Sequence, residues 1–214
     1  MTPAPLRLEG IDLAIGGQRL IGGLSLGVAP GEVVTVMGPS GCGKSSLLSY
    51  ICGTLAPGFQ ASGGVWLGER QLDRLPPEQR GLGILFQDDL LFAHLSVGGN
   101  LAFALPKRLS RRQRRARIEA ALAEAELDGM AARDPATLSG GQRARVALLR
   151  TLLAEPGALL LDEPFGKLDA ELRQRFRAFV FEHAAMRNLP VLLVTHDAGD
   201  AKAAGGRVIN LNAC

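Results

Sequence analysis

The amino-acid sequence predicts an α/β fold: a mostly parallel β-sheet with an N-terminal antiparallel β part and an inserted α-helical subdomain. From residue 33 onwards, short apolar segments alternate with helical patterns, which favours parallel strands covered by helices. Before that point, two strand-like segments separated by Gly16-Gly17 predict an antiparallel pair. We expect a single domain of 214 residues, with residues 1–88 and 156–214 as the sheet core and 89–155 as the helical subdomain.

Local patterns place the individual elements. Apolar runs bounded by turn residues predict strands at residues 6–15, 20–28, 33–37, 65–67, 83–86, 158–161, 191–195 and 207–211. Helical patterns are found at residues 44–52, 97–127, 140–154 and 168–187. Ser139 is a suitable N-cap for the third of these helices, and Pro156 is expected to end it.

Composition excludes a disordered chain, because 47% of the residues are apolar and 21% are charged. There are 24 Lys and Arg against 21 Asp and Glu, but seven of the basic residues lie in one acid-free stretch. Without that stretch, 17 basic residues remain against 21 acidic ones, so the rest of the chain is net acidic. The basic stretch consists of Lys107, Arg108, Arg111, Arg112, Arg114, Arg115 and Arg117.

Three interpretations of the basic stretch remain open: a solvated helix surface, contact with anionic lipid head groups, and contact with nucleic acid. No aromatic residue is interleaved with the cations, which disfavours base stacking, and we therefore expect no nucleic-acid partner.

Other sequence signals concern the compartment. Cys42, Cys52 and Cys214 do not have the spacing of metal ligands, and their odd number favours a reducing interior. The N-terminal residues show no signal-peptide pattern, and no segment resembles a membrane-spanning helix. We also expect no regulatory C-terminal domain, because only 18 residues follow His196.

A phosphate-binding loop is the most informative motif. It lies between an apolar strand and a helix, and its pattern is G-x-x-x-x-G-K-[ST]. Glycines allow successive backbone N–H groups to face one anion, Lys44 adds a charge for the outer phosphates, and Ser45 offers a hydroxyl to Mg²⁺. The motif predicts the P-loop NTPase fold of the RecA-like type. The predicted nucleotide-binding residues are Gly38, Pro39, Ser40, Gly41, Cys42, Gly43, Lys44, Ser45 and Ser46.

Two adjacent carboxylates follow a second apolar strand. Asp162 and Glu163 come directly after Leu159–Leu161, and the carboxyl end of a buried parallel strand is where such sheets bind ligands. Asp162 is therefore a candidate Mg²⁺ ligand. Glu163 is a candidate to orient the attacking water or accept its proton.

Residues 138–142 read LSGGQ, a serine N-cap followed by the exposed N–H groups of a helix start. With this segment upstream of the two carboxylates, the chain resembles the ATP-binding cassette (ABC) ATPases over residues 6–211, nearly its whole length. In that family Ser139, Gly140, Gly141 and Gln142 would contact the γ-phosphate held by a second subunit. The resemblance thus implies an ATP-dependent, head-to-tail homodimer.

The resemblance also implies roles for three single residues. Gln87 matches the family's glutamine that contacts Mg²⁺ and the attacking water, so it is both a catalytic and a metal-site candidate. His196 matches the histidine that contacts the γ-phosphate, and Asp169 matches the aspartate that communicates across the dimer. With Glu163, the expected catalytic residues are Gln87 and His196.

The implied function is ATP hydrolysis, with ATP and Mg²⁺ bound, by a subunit that energises solute import through a membrane permease. Residues 86–97 resemble the segment by which importer ATPases hold a permease helix, although core packing also explains their apolar side chains. The resemblance is to short importer cassettes for small polar solutes, anions or vitamins, with an extracytoplasmic solute-binding protein. It places the chain peripherally on the cytoplasmic face of the inner membrane.

Two other classes of protein share part of this pattern. A soluble ABC ATPase acting on ribosomes or nucleic acid usually has two cassettes or a long coiled-coil insertion, and this chain has neither. A nucleotide kinase would share the phosphate loop but would not need LSGGQ or His196.

The chain departs from the family pattern at two positions. Lys167 stands where family members usually carry a small residue, which changes the segment before Asp169. Ile15 stands where many members place an aromatic residue that stacks on adenine. An aliphatic side chain covers a base without stacking on it.

We therefore expect weak discrimination between adenine and guanine nucleotides. ATP and GTP should be hydrolysed at similar rates, and Ile15→Tyr should raise the preference for ATP because a ring can stack on the base. Steady-state hydrolysis of both nucleotides by the two proteins measures this. A large preference for ATP in the unsubstituted chain would contradict the hypothesis.

Overall fold

The computed structural model describes residues 4–211. They form two compact units. The first comprises residues 4–84, 157–163 and 177–211, and the second comprises residues 85–156 and 164–176.

Strands and helices alternate along most of the chain. The strands among the described residues are β1 (Leu6–Ile15), β2 (Gln18–Val28), β3 (Val33–Met37), β4 (Phe59–Leu67), β5 (Arg70–Gln71), β6 (Leu82–Leu85), β7 (Ala158–Asp162), β8 (Val191–Thr195) and β9 (Arg207–Asn210). The α-helices there are α1 (Lys44–Cys52), α2 (Pro77–Arg80), α3 (Val97–Ala104), α4 (Arg111–Glu124), α5 (Gly140–Leu153), α6 (Ala170–Met186) and α7 (Ala198–Ala204).

The strands make two sheets. One is antiparallel, with the order β2-β1-β4-β5, and the other has the order β6-β7-β8-β3-β9. In the second sheet β7 pairs with β8, β8 with β3, and β3 with β9, all in parallel. Both parts of the fold prediction, a mostly parallel sheet and an N-terminal antiparallel part, are confirmed.

Continuous burial explains the parallel sheet. Every residue of β8 is buried, as are the first four of β7 and the middle three of β3. Such strands are apolar throughout because both faces of a parallel sheet are covered. The aliphatic side chains of β1, β3, α1 and β8 belong to one hydrophobic cluster, which anchors the segments that leave the ends of these strands.

The predicted helix at residues 97–127 is wrong in one respect: it is two helices, α3 and α4, and Leu105-Pro106 separates them. Leu105 is extended, with φ −72° and ψ 141°, because a residue before proline avoids the α-helical region. Arg114 of α4 donates to the carbonyl groups of Ala102, Leu105 and Pro106, so the C-terminal end of α3 keeps its hydrogen bonds.

Other differences lie in the short elements. Strand β4 begins six residues before the predicted segment, and the short helices α2 and α7 were not predicted. No helix among residues 4–211 is long and apolar enough to cross a membrane.

Candidate functional site

The loop between β3 and α1 curls because two of its glycines have left-handed backbones. Gly41 has a φ of 83° and Gly43 a φ of 94°, and residues with a side chain rarely adopt such backbone angles. A Cβ at Gly38 would lie 2.6 Å from the Cys42 sulfur and 3.0 Å from the Leu211 carbonyl oxygen. A side chain at position 38 would therefore be crowded. The loop ends at the N-terminus of α1, whose free N–H groups favour anions.

Lys44 is held close to the loop backbone. Its side chain is 5% exposed, and its Nζ donates to the carbonyl oxygens of Gly38 and Pro39, both at 2.8 Å. The ammonium group therefore lies beside the loop, where a phosphate bound to the loop would meet it.

Asp162, the last residue of β7, faces the first turn of α1. Ser45 Oγ donates to Asp162 Oδ1 over 2.9 Å. Burial raises the pKa of the Asp162 carboxyl above its usual 3.8, and the charge of Glu163 raises it further. Ser45 and Lys44 lower it only in part. A hydroxyl and a partly desolvated carboxylate side by side suit a divalent cation with oxygen ligands, so this pair fits Mg²⁺.

Glu163 lies in a strained backbone conformation. Its φ is 46°, which is unusual for a residue with a side chain, and its N–H donates to the Val194 carbonyl over 3.0 Å. Its Oε1 lies 3.9 Å from Lys44 Nζ and 3.0 Å from His196 Nδ1. The backbone strain thus places one carboxylate oxygen between an ammonium group and an imidazole.

Together, these residues of the first unit can bind phosphate, hold a divalent cation and act on a water molecule. The structure brings together the loop from Gly38 to Ser46, Asp162, Glu163 and His196, as the sequence predicted. The lysine and the helix N-terminus attract anions, the pair of Ser45 and Asp162 suits a divalent cation, and Glu163 supplies a base.

The other candidate residues lie in the second unit. Gln87 is exposed and follows β6, and it lines a cavity of about 150 Å³ with Gly140, Arg143 and Leu168. Beside it, Lys167 forms an ion pair with Asp88. Lys167, which departs from the family pattern, is therefore paired with the residue that follows Gln87.

The LSGGQ segment starts α5. Ser139 Oγ accepts from the Gln142 N–H, and Gln142 Oε1 accepts from the Ser139 N–H over 3.0 Å, which together form a capping box. A Cβ at Gly141 would lie 2.4 Å from Leu172, so α6 packs directly on this glycine. Asp169 Oδ1 accepts from the Leu172 N–H at the start of α6.

Comparison with protein families gives one decisive match. Residues 21–166 match the model of the ABC transporter family, which is more than half of the chain. The chain belongs to the ABC transporter family. It is an ATP-binding cassette, so the fold class and the family inferred from the motifs are both confirmed.

Two relatives illustrate the similarity. The uncharacterized ABC transporter ATP-binding protein YnjD of Escherichia coli strain K12 is 51% identical over 198 residues, which cover 92% of this chain and 91% of YnjD. The Fe(3+) ions import ATP-binding protein FbpC of Streptomyces avermitilis is 43% identical over 209 residues. That alignment covers 97% of this chain but only 60% of FbpC.

Solved structures show the same fold. The bacterial ABC transporter cassette MJ0796 superimposes with a TM-score of 0.78 at 28% identity. The match covers 97% of this chain and 94% of MJ0796.

Sequence reasoning missed two features of the site. The left-handed backbone of Glu163 has no signal in residue type, because nothing marks a glutamate for that region. The ion pair between Lys167 and Asp88 joins residues 79 positions apart, so no local pattern could reveal it.

Replacing Asp162 by Asn should separate stability from metal binding. The pKa of Asp162 is raised in the folded state, so ionising this carboxyl lowers the free energy of unfolding as the pH rises. Below the pKa of the same carboxyl in the unfolded chain, both states are protonated and this cost disappears. Without nucleotide, Asp162→Asn should therefore unfold at higher urea than the unsubstituted chain at pH 7.5, and this gain should shrink as the pH falls toward 4.

The same variant should lose the Mg²⁺ dependence of nucleotide binding, because the amide is a weaker cation ligand. Urea unfolding at several pH values and nucleotide titrations with Mg²⁺ or EDTA measure the two effects. Ser45→Ala is the control: it should weaken the Mg²⁺ effect without the pH-dependent gain. An equal stability difference at every pH would contradict the prediction.

Proposed function

We propose that this chain is the ATPase subunit of an ABC importer that drives a small solute through a membrane permease. One observation carries the catalytic part: Glu163 Oε1 lies between Lys44 Nζ and His196 Nδ1, next to the contact between Ser45 and Asp162. The import direction is supported by relatives such as FbpC, which is named as an import ATP-binding protein.

In this proposal the loop from Gly38 to Ser46 binds the phosphates of ATP through its backbone N–H groups and Lys44. Ser45 and Asp162 would hold Mg²⁺, with Gln87 as a further ligand. The cation would neutralise charge on the phosphate oxygens.

Glu163 would orient the attacking water and accept its proton, since its carboxylate is fixed by backbone and neighbours. His196 would contact the γ-phosphate, and Gln87 would report its presence. Each of these roles fits the side chain's chemistry and, for Glu163 and His196, the contact between Oε1 and Nδ1.

A second copy of the chain completes the site. Ser139, Gly140, Gly141 and Gln142 would contact the γ-phosphate of the partner subunit, and Asp169 would contact the partner's site. The helix N-terminus at Ser139 suits an anion, and the similar cassette MJ0796 has been solved as a dimer.

The partners follow from the same proposal. The cassette would lie on the cytoplasmic face of the membrane, bound to an integral permease, with an extracytoplasmic solute-binding protein delivering the solute. Residues 86–97 support a docking surface, because Phe86 and Leu90 are exposed apolar side chains. A soluble ABC ATPase that acts on nucleic acid is not favoured, since no aromatic residue is interleaved with the cations between Lys107 and Arg117.

Glu163→Gln should keep ATP binding but lower the hydrolysis rate by about 100-fold or more. The amide has the same shape but accepts no proton. Phosphate release measures the rate, and light scattering with ATP should show a stable dimer. Lys44→Ala is the control that should lose ATP binding as well. Normal turnover by Glu163→Gln would contradict the role of Glu163.

The transport function is tested by affinity purification of the tagged chain from detergent-solubilised membranes. An integral permease should co-purify, and the combined substitution Phe86→Ser and Leu90→Ser should reduce its yield because apolar contact area is lost. Exposed Met186→Ser, away from residues 86–97 in the chain, is the matched control. Co-purification of ribosomes or nucleic acid instead would refute the transport function.

A further inference from the structure

The loop that carries His196 is fixed on both sides by one buried hydroxyl. Thr195, the last residue of β8, is 1% exposed, and its Oγ1 donates to Asp200 Oδ2 over 2.8 Å. The same oxygen accepts from the Asp197 N–H over 3.0 Å. A threonine hydroxyl can donate and accept at once, so the residues before and after His196 are joined through a single atom.

Asp200 is the centre of this network. It is 3% exposed in the first turn of α7, and its Oδ1 accepts from both Nε (2.6 Å) and Nη2 of Arg177 on α6. The Arg177 guanidinium also lies 3.5 Å from Asp197 Oδ1. The planar guanidinium presents its donors in a fixed fork, so the carboxylate of Asp200 has little freedom to turn.

The backbone after His196 is held as well. The Asp197 carboxylate accepts from the N–H groups of Gly199 (2.6 Å) and Asp200 (3.1 Å) and so caps α7. A Cβ at Gly199 would lie 2.8 Å from that carboxylate, so a side chain at this position would crowd the cap. The His196 side chain is 58% exposed, and its Nδ1 lies 3.0 Å from Glu163 Oε1.

We propose that Thr195, Asp200 and Arg177 are positioning residues that hold the His196 imidazole against Glu163 for ATP hydrolysis. This rests on the proposed function of the chain. The network ends on Thr195 and Asp197, the two residues that flank His196. It therefore acts through His196, and misplacement of a reacting group by about 1 Å can lower a rate by about 100-fold.

Thr195→Val tests the proposal, because valine has the same shape but lacks the hydroxyl. The turnover number should fall by about tenfold or more, while the KM for Mg-ATP changes less than about twofold. Thr195→Ser keeps the hydroxyl and should restore most of the rate. The matched control is Thr35→Val on β3, since Thr35 is also fully buried and its hydroxyl has no hydrogen-bond partner among residues 4–211. That variant should turn over at the normal rate.

A second measurement does not depend on hydrolysis. The imidazole NMR signal of His196, assigned by its loss in His196→Asn, should shift or broaden in Thr195→Val. The signals of His94 and His183 should stay in place, and Thr35→Val should leave all three unchanged. If the unsubstituted chain does not hydrolyse ATP, the proposed function fails, and the NMR comparison alone decides on the network.

Three outcomes would overturn the proposal. The first is a Thr195→Val protein that melts at a lower temperature but turns over normally per folded molecule, which indicates a structural role only. The second is a loss of rate in Thr195→Val with an unmoved His196 signal. The third is an equal loss of rate in Thr195→Ser.

Discussion

Parallel pairing of three neighbouring strands is the constraint on which the site depends. β8 pairs with β3 on one side and β7 on the other, with Met37 level with Thr195 and Asp162 level with Val194. All three strands therefore end at the same edge of the sheet. The phosphate loop follows β3, His196 follows β8, and the two carboxylates lie at the end of β7. These groups therefore meet, although Gly38 and His196 are 158 positions apart along the chain. A shift of one strand in register would move its polar end away from the others.

The site is built at a cost in stability. Asp162 is partly buried with a raised pKa, Glu163 has a left-handed backbone, and the loop contains glycines that lose much conformational freedom on folding. Such costs are offset by the surrounding apolar strands, whose side chains are almost fully buried. Glu163, directly after a buried strand, is thus held for chemistry without having to move first.

Much of the fold and of the candidate site could be predicted from local sequence patterns. Buried strands appear as apolar runs, and the phosphate loop, the paired carboxylates and LSGGQ are contiguous motifs whose residue types are required by what they bind. The helical pattern of residues 97–127 did not show where α3 ends, because Pro106 and the hydrogen bonds of Arg114 decide that boundary. Contacts between residues far apart in the chain left no local pattern at all.

The sequence by itself determined the family, the parallel sheet and the identity of the candidate site residues, since each depends on periodicity or on a short motif. Only the tertiary structure decided how those residues are oriented. It set the left-handed backbone of Glu163. It also paired Lys167 with Asp88, 79 positions apart, and linked Arg177 through Asp200 to Thr195. Hydrogen-bond geometry and burial are properties of the folded arrangement, and no residue carries them alone.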